Sequence, residues 1–483
     1  MVFSSTIFLY AFLPIVLLLY YIMPWLTAKN VLLLISSLVF YAWGEPKYIV
    51  LMVISIVVNY LFGLGIHHQH KQNKKGTAFL VLSVLLNIGL LFYFKYFNLL
   101  ADTLGLLLHM DLDFRHIALP IGISFYTFQG MSYVIDVYRE DISRPDTTVV
   151  QRSLLKLALY ISMFPQLIAG PIVRYTDIRH SLSDRTHTLN LFTSGVEIFI
   201  IGLAKKVIFA NLLGATGDSL MQDNFLIISS AQAWLGILCY TLQIYYDFCG
   251  YSEMAIGLGR MFGFEFKKNF DYPYISRSIT EFWRRWHISL SQWFRDYLYI
   301  PLGGNRKGNV YVNLFIVFLA TGIWHGADWS FLFWGIWHGI FILIERIMKK
   351  RNIHIPVPKA LSPFLGWFYT MLVVMFGWIL FYTTSIVKTV QYLKLMFCLE
   401  HREFVGFDMS WYLNSRTLTV FIAAVLCCIP WKQVLNHCIP RIHVLWNHPV
   451  YIAAKRIVLL GLMFICFLLV VNSSYNPFIY FRF

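Results

Sequence analysis

The sequence predicts an all-α membrane protein that crosses the bilayer many times. Hydrophobic residues make up 58% of the 483 residues, charged residues only 13%, and the mean hydropathy is +0.63, far from the balance of a water-soluble domain. Long apolar runs recur from one end of the chain to the other, and a helix needs about 20 such residues to cross a bilayer. Because no linker or repeat separates these runs, we predict a single transmembrane domain over residues 1–483.

The apolar runs define the predicted spans in chain order. The long runs are 7–23, 48–66, 78–97, 154–172, 310–323, 329–344, 364–382 and 458–471. Shorter or interrupted runs are 31–43, 117–137, 192–213 and 234–248. Together they predict about 11–13 transmembrane helices. The first run has no basic segment before it and no small-residue cleavage site after it, so we expect a retained span rather than a signal peptide.

The formal charge is +15, and its placement suggests an orientation for the first third of the chain. The basic loop 67–75 is expected to face the cytoplasm, where loops are enriched in Lys and Arg. His67, His68 and His70 in this loop have no carboxylate or cysteine beside them, so we interpret them as solvated residues. The seven cysteines show no metal-ligand spacing, and we predict no metal site.

The most unusual stretch is the segment 247–309, which is rich in Arg, Trp, Tyr and Gly yet lies between strongly apolar segments. Polar, irregular backbone at membrane depth is tolerated only where protein buries it or where it lines a watery cavity, so this segment is a candidate site. Ser278 and Glu281 form a capping box that predicts a helix start. The helix 281–299 is too polar to face lipid all round; it lies inside the fold or on the membrane surface, with its arginines on lipid phosphates.

Three tryptophan-histidine pairs stand out: Trp286-His287, Trp324-His325 and Trp337-His338. An ionisable residue inside an apolar span is costly and is by default a functional hypothesis. His325 is the sharpest case, because the neighbouring glycines Gly322 and Gly326 can break the helix or admit a substrate closely. An imidazole, with a pKa of about 6.5, can remove a hydroxyl proton and return it to a leaving thiolate, as acyl transfer requires.

The residues alone leave a second interpretation open, since a lone intramembrane histidine often hydrogen-bonds across helices. On one unbroken helix, His338 would lie about 20 Å from His325 along the axis and about 140° around it. The two can share a reaction centre only if the helix breaks, and Asp328 and Trp329 interrupt the apolar run at that point. We interpret His338 as a packing or hydrogen-bonding residue. Nucleotide-loop, nucleophile-elbow and zinc-protease motifs are absent.

Several strings in the chain match one known family. They are ALPIGISFYTFQ with SYVIDVYR (118–139), FPQLIAGPIVRY (164–175), YDFCGYSEMAIGLGRMFGF (246–264), EFWRRWHISLSQWFRDYLYIPLGGNR (281–306), TGIWHGADW (321–329) and NPFIYFRF (476–483). The chain resembles the membrane-bound O-acyltransferases, in the bacterial branch of the alginate O-acetylation membrane subunit. The motif-rich core is about 118–340.

The resemblance implies helices around a central tunnel that joins the two membrane faces, with re-entrant or interfacial helices. It places a general base on His325 and a supporting or substrate-positioning residue on His287. The residues beside these histidines that we predict to bind substrate are Trp283, Arg284, Trp286, Trp324 and Asp328. No permanently bound cofactor is implied. The expected donor is a thioester on the cytoplasmic side, acetyl-CoA or an acyl-carrier protein, with acetyl-CoA favoured.

The resemblance also implies a location and a partner. We expect a multi-pass protein of the bacterial cytoplasmic membrane that contacts lipid and no nucleic acid. Since the chain ends at Phe483 without a fused extracytoplasmic transferase domain, we expect a separate extracytoplasmic acetyltransferase to complete O-acetylation of a polysaccharide or cell-wall glycan. Two other functions stay open: D-alanyl transfer from a carrier-protein thioester to teichoic acid, and a transporter or export channel, which also carries intramembrane charges.

Overall fold

The computed structural model describes residues 1–110, 116–140, 149–222, 228–353, 356, 358–399, 407–439, 442–472 and 475–479. These residues form helices and connecting loops, with no strand among them, which confirms the predicted all-α class. Within these residues, seven helices are long and apolar enough to cross a membrane. They are Leu26–Gly44, Ile49–Lys71, Thr77–Leu108, Leu189–Met221, Trp329–Lys350, Ser362–Thr383 and Pro449–Asn472. Helices Ser415–Cys427 and Trp431–Cys438, bent by 57°, would together make an eighth span.

These helices are fewer than the predicted spans because several apolar runs do not form one long helix. The run 154–172 forms helix Leu154–Ser162, after which Met163 takes an extended ψ of 114° and the short helix Phe164–Leu167 begins. The run 117–137 forms a helix of 16 residues, Ile123–Tyr138, shorter than a crossing needs. Hydrophobicity fixes which residues leave water, whereas the breaks depend on backbone angles at single positions.

The chain separates into two compact units, residues 1–199 with 254–267 and residues 200–253 with 268–483. In the first unit lie Leu13–Ile22, Leu26–Gly44, Ile49–Lys71, Thr77–Leu91, Phe97–Leu108, Ile123–Tyr138, Leu154–Ser162, Phe164–Leu167 and Tyr175–Ile178. Helices Leu189–Ala204 and Ser230–Met261 have residues in both units. The single-domain prediction for 1–483 stays a prediction, and the last four residues of the NPFIYFRF string lie outside the described residues.

The basic segment 67–75 is only partly the solvated loop that we predicted. Helix Ile49–Lys71 continues through His67, which is only 9% exposed. Cationic side chains in a last helical turn are favoured by the partial negative charge of the helix C-terminus, and here the helix ends at Lys71. Gly76, with φ +66°, is the N-cap of the next helix.

Five helices of the second unit build the candidate site. They are α1 (Ile279–Arg285), α2 (Ile288–Phe294), α3 (Val310–His325), α4 (Trp329–Lys350) and α5 (Ser362–Thr383). The other α-helices wholly within this unit are Asn211–Met221, Ile386–Met396, Met409–Tyr412, Ser415–Cys427, Trp431–Cys438, Ile442–Trp446 and Pro449–Asn472. Aromatic rings dominate the core between the site helices, including the fully buried Trp334 and Trp378.

The predicted helix 281–299 starts as expected and then breaks. Ser278 is the N-cap of α1, and its Oγ accepts a hydrogen bond from the backbone N–H of Glu281 at 3.0 Å, which confirms the predicted helix start. The Glu281 carboxylate accepts the backbone N–H of Arg277 at 3.0 Å rather than that of Ser278. The helix breaks between α1, which ends at Arg285, and α2, which begins at Ile288. His287 lies in this break with a φ of +44°. Phe282 and Trp286 are buried, whereas Arg284 is exposed, so one face of α1 packs inside the fold.

Helices α3 and α4 form a tightly packed antiparallel hairpin. A Cβ on Gly322 would lie 2.4 Å from the backbone oxygen of Phe331, and one on Gly335 would lie 2.5 Å from that of Phe318. The residue pairs in contact therefore run in opposite directions along the two helices, and only glycine permits this approach. Gly322, which the sequence linked to a helix break or to substrate, instead packs the hairpin.

A buried ion pair fixes the tail of the chain within the second unit. Lys206 Nζ lies 2.7 Å from Asp247 Oδ1, and both side chains are 1% exposed. The ammonium group also donates to the backbone oxygen of Pro477, and the backbone N–H of Ile479 donates to Asp247 Oδ2 at 2.8 Å. Two charges that are costly to bury thus satisfy each other and two backbone groups of the tail.

Candidate active site

The second unit contains a cavity of about 880 Å³ that His287 and His325 both line. Its walls come from α1 to α4, the turns around them and Tyr369 of α5. Three of the predicted substrate-binding residues, Trp283, Arg284 and Trp286, line the same cavity. The fold thus brings both predicted histidines to one cavity, although His287 precedes α2 and His325 ends α3.

Trp324 and Asp328 are not among the residues that line the cavity. Trp324 is 6% exposed, and its ring packs against His325 at 5.0 Å and His287 at 6.2 Å between centroids. Asp328 is exposed and precedes the first residue of α4 as its N-cap. Their contact with substrate stays a prediction; the structure places Trp324 as packing between the two histidines.

His325 owes its position to the helix break that the sequence predicted. It is the last residue of α3, Gly326 is extended with φ −161°, and α4 begins at Trp329. The partly buried imidazole packs edge-to-face against Trp334 at 4.9 Å and Phe381 at 5.3 Å between ring centroids. Aromatic walls on two sides restrict the ring's rotation, so the histidine is held in place at the cavity.

His287 lies between α1 and α2 and is 2% exposed. Its Nδ1 is 3.1 Å from Asn269 Oδ1, and the ring meets Phe248 edge-to-face at 4.7 Å. Burial lowers the pKa of His287 to about 3, so the imidazole is neutral at physiological pH. A neutral ring has one nitrogen that donates and one that accepts a hydrogen bond.

Glu345 of α4 anchors the start of α1. Its carboxylate accepts hydrogen bonds from the backbone N–H of Ile279 at 2.6 Å and from the backbone N–H and hydroxyl of Thr280 at 2.9 and 2.5 Å. The first amides of a helix have no partner within the helix, and a carboxylate there is stabilising. Glu345 thereby fixes the short helix that carries Trp283 and Arg284 and leads to His287.

The cavity is elongated, with cationic groups away from the histidines. Along α3 it is lined from Leu314 to His325, which spans about 16 Å at the helical rise of about 1.5 Å per residue. At the end near Leu314 the antiparallel α4 contributes Arg346 and Lys349. In the described part of the chain, neither has a carboxylate within ion-pair distance. This end of the cavity suits an anion.

His338 belongs to packing, as the sequence suggested. It is fully buried, does not line the cavity, and its ring packs against Trp283 at 4.9 Å and Trp334 at 5.0 Å. A Cβ on Gly377 would lie 2.5 Å from His338 Nε2, so α5 passes directly over the ring.

The sequence did not single out Asn269, Glu345, Arg346 or Lys349. The last three end an apolar helix and resemble an ordinary charged helix terminus, so only the α3–α4 hairpin shows that they face a cavity. Asn269 lies in a loop with no periodic pattern. The one available signal was its place within the polar segment 247–309, which was predicted as a candidate site.

The chain is similar in sequence to known proteins. Residues 90–387 match the membrane-bound O-acyltransferase family. The chain is 39% identical over 501 residues to a probable alginate O-acetylase of Pseudomonas putida, with 100% of both chains covered. It is 45% identical over 389 residues to a probable alginate O-acetylase of Azotobacter vinelandii, covering 79% of this chain and 75% of that protein.

A peptidoglycan O-acetyltransferase of Helicobacter pylori is 34% identical over 521 residues, which cover 100% of this chain and 98% of that protein. The similarity to these enzymes therefore extends across the transmembrane helices and the cavity alike. The resemblance seen in the sequence motifs is confirmed: the chain belongs to the membrane-bound O-acyltransferase family and is an O-acyltransferase.

Proposed function

We propose that this chain transfers an acetyl group from cytoplasmic acetyl-CoA towards a hydroxyl of an extracytoplasmic polysaccharide or cell-wall glycan. The observation that carries the proposal is one elongated cavity with two histidines at one end and cations without carboxylate partners, among the described residues, at the other. Relatives that resemble the chain over its full length are named for the O-acetylation of alginate and of peptidoglycan.

The chemistry needs one base and no cofactor of its own. His325 removes the proton of the acceptor hydroxyl as its oxygen attacks the acetyl carbonyl carbon. The new C–O ester bond forms, the C–S bond of the thioester breaks, and the same imidazolium returns its proton to the departing thiolate. His287 positions substrate at the cavity wall. A single histidine thereby serves both proton transfers.

The cations favour a donor with a phosphate-bearing end. Arg346 Nη2 donates to Asn305 Oδ1 at 2.9 Å and is thereby held in place, and Lys349 and Arg277 line the same cavity. Arginine and lysine are the usual protein partners of phosphate groups. Coenzyme A carries its phosphates at the opposite end of a long pantetheine arm from its thioester, which matches a cavity that is cationic at one end and has histidines at the other.

The charge at the end of α4 supports entry of the donor from the cytoplasm. Lys349, Lys350 and Arg351 end this span, and such clusters mark cytoplasmic helix ends. We propose a location in the bacterial cytoplasmic membrane on this basis, with a separate extracytoplasmic acetyltransferase as the partner that receives the acetyl group and passes it to the final polymer.

The proposal is tested by donor preference in proteoliposomes that contain the purified chain with its partner. The vesicles are given acetyl-CoA labelled in the acetyl group or a carrier protein charged with labelled D-alanine, together with a hydroxyl acceptor. We expect hydroxyl-dependent consumption of the acetyl-CoA label. Consumption of the D-alanyl label instead would contradict the proposal, as would passage of either donor across the membrane without a thioester being broken.

Removing the cations is expected to weaken donor binding selectively. Arg346→Ala and Lys349→Ala each lose a charge-assisted contact, so KM for acetyl-CoA should rise about tenfold while kcat changes little. KM for acetyl-pantetheine, which lacks the phosphates, should be unchanged. Lys432→Ala, on an exposed helix that does not line the cavity, is the matched control. An equal rise in KM for both thioesters would show that the cations do not bind phosphate.

A further inference from the structure

Asn269 is a buried side chain, 1% exposed, that touches the His287 turn at four points. Its Oδ1 lies 3.1 Å from His287 Nδ1, 3.2 Å from the backbone nitrogen of Ser289 and 2.9 Å from the Ser289 hydroxyl. Its backbone oxygen accepts the N–H of Ile288 at 2.9 Å. One residue, 18 positions earlier in the chain, thus holds both the imidazole and the backbone that carries it.

The backbone N–H of Ser289 determines which way the Asn269 amide faces. A backbone N–H only donates, so the atom that meets it must be the carbonyl oxygen Oδ1 and not the amide nitrogen. That oxygen also faces His287 Nδ1 and has no hydrogen to give. The hydrogen between them must therefore belong to the imidazole, which makes neutral His287 the tautomer protonated on Nδ1.

We infer that Asn269 is a positioning residue that holds His287 in the Nδ1–H form, which makes Nε2, on the far side of the ring, the nitrogen that can accept a hydrogen bond from a substrate N–H or O–H. The inference rests on the proposed function and deepens it. Two groups have this chemistry: the hydroxyl of the acceptor and an amide of the pantetheine arm. His287 then contributes hydrogen-bond acceptance, while His325 carries the proton transfers.

The backbone conformation gives Asn269 a second task. His287 has φ +44°, a left-handed conformation that is unfavourable for a residue with a Cβ. The hydrogen bonds from Ile288 and Ser289 to Asn269 stabilise the turn in that conformation. The same residue therefore fixes where the ring is and which of its nitrogens carries the hydrogen.

Among the described residues, none of the groups that pack on the His287 ring carries a charge that would reverse this assignment. The described groups that pack on the ring are Phe248, Trp324, Asn269 and Ser289, and none of them is charged. Titratable or charged groups that share its cavity are His325, Arg277, Glu281, Arg284, Arg295, Glu345, Arg346, Lys349 and Tyr299, with Tyr369 from α5. Burial alone lowers the pKa of His287, so the ring stays neutral and keeps its lone pair.

The test compares Asn269→Asp and Asn269→Ala in the acetyl-transfer assay across pH. A carboxylate keeps the acceptor for Ser289 N–H and Nδ1–H but raises the pKa of the imidazole. Protonated His287 has no lone pair, so the acidic limb of kcat/KM should move to higher pH, with near-wild-type activity above it. Asn269→Ala should lower kcat/KM on the order of tenfold to a hundredfold without that shift.

Asn313→Ala is the matched control, because Asn313 is also buried but bonds only backbone carbonyls of Gly304 and Lys307 and does not line the cavity. It should leave the pH profile in place. A rise in KM for the acceptor alone in Asn269→Ala assigns the hydroxyl as the bound group, and a rise for acetyl-CoA alone assigns the pantetheine amide. An unshifted acidic limb in Asn269→Asp, or unchanged kinetics in Asn269→Ala, would overturn the inference.

A spectroscopic readout separates this inference from the proposed function. In protein labelled with nitrogen-15 in the imidazoles, the His287 signal, identified by its loss in His287→Gln, should show a protonated Nδ1 and an unprotonated Nε2. Asn269→Ala should lose this preference. The measurement needs no substrate, so it remains valid even if the chain does not turn over acetyl-CoA. A His287 ring protonated on Nε2 in the wild-type protein would contradict the inference even if acetyl transfer is confirmed.

Discussion

Replacing His325 by alanine is expected to lower the rate of acetyl transfer by about 10²–10⁴-fold, the range that one general acid-base group contributes. The loss should appear in kcat, because the imidazole acts on protons that move during the reaction rather than on donor binding. The aromatic neighbours Trp334 and Phe381 remain packed against each other at 5.5 Å, so the helices should hold their positions. Thioester consumption and thermal unfolding are measured on the same detergent-purified sample.

The control is His338→Asn, which removes the other histidine of the α3–α4 hairpin. His338 is buried and off the cavity, so this variant should lose some stability and keep its turnover to within a few-fold. His287→Ala is expected to weaken transfer without erasing it, because that ring positions substrate and does not move the proton. If His325→Ala keeps turnover while remaining folded, His325 is not the base; a loss in His287→Ala as complete as in His325→Ala would contradict the division of roles.

The sequence predicted the site well where the chemistry is local. The Ser278–Glu281 capping box marked the start of α1, and the polar Asp328 marked the break that separates His325 from His338. Capping and helix interruption depend on residues within a few positions, so a single sequence shows them. The polar segment between apolar runs likewise predicted a cavity wall, because buried polar backbone needs a reason to be there.

The parts that the sequence did not predict depend on contacts across the fold. The sequence does not predict a left-handed backbone at His287, because that conformation is usually taken by glycine or asparagine. It is stabilised by Asn269, 18 residues away, and by the start of α1, which Glu345 of α4 anchors 65 residues away. Hydropathy alone also did not show that the run 154–172 is interrupted, because Met163 breaks a run that is apolar throughout.

Replacing Lys206 by methionine is expected to lower the free energy of unfolding by about 3–5 kcal/mol, the cost of leaving one charge of a buried pair without its partner. Asp247, 1% exposed, would keep its carboxylate away from water with only the Ile479 amide to stabilise it. The Pro477 backbone oxygen would also lose its donor. Chemical unfolding of the detergent-solubilised chain measures the change.

Lys268→Met is the matched control, because the Lys268–Asp271 pair has the same two residue types at 2.5 Å but side chains that are 58% and 37% exposed. Water already stabilises these charges, so this change should cost only about 0–1 kcal/mol.

Removing both buried charges, in Lys206→Met with Asp247→Leu, should recover part of the loss and not all of it, because two backbone groups of the tail then lack partners. Equal costs for Lys206→Met and Lys268→Met would show that burial of the first pair does not set its contribution. The tail would then be stabilised by its other contacts, such as the stacking of Phe478 on Tyr251, at 4.5 Å between ring centroids, and the hydrogen bond that the Tyr475 hydroxyl donates to Asp218 Oδ2 at 2.6 Å.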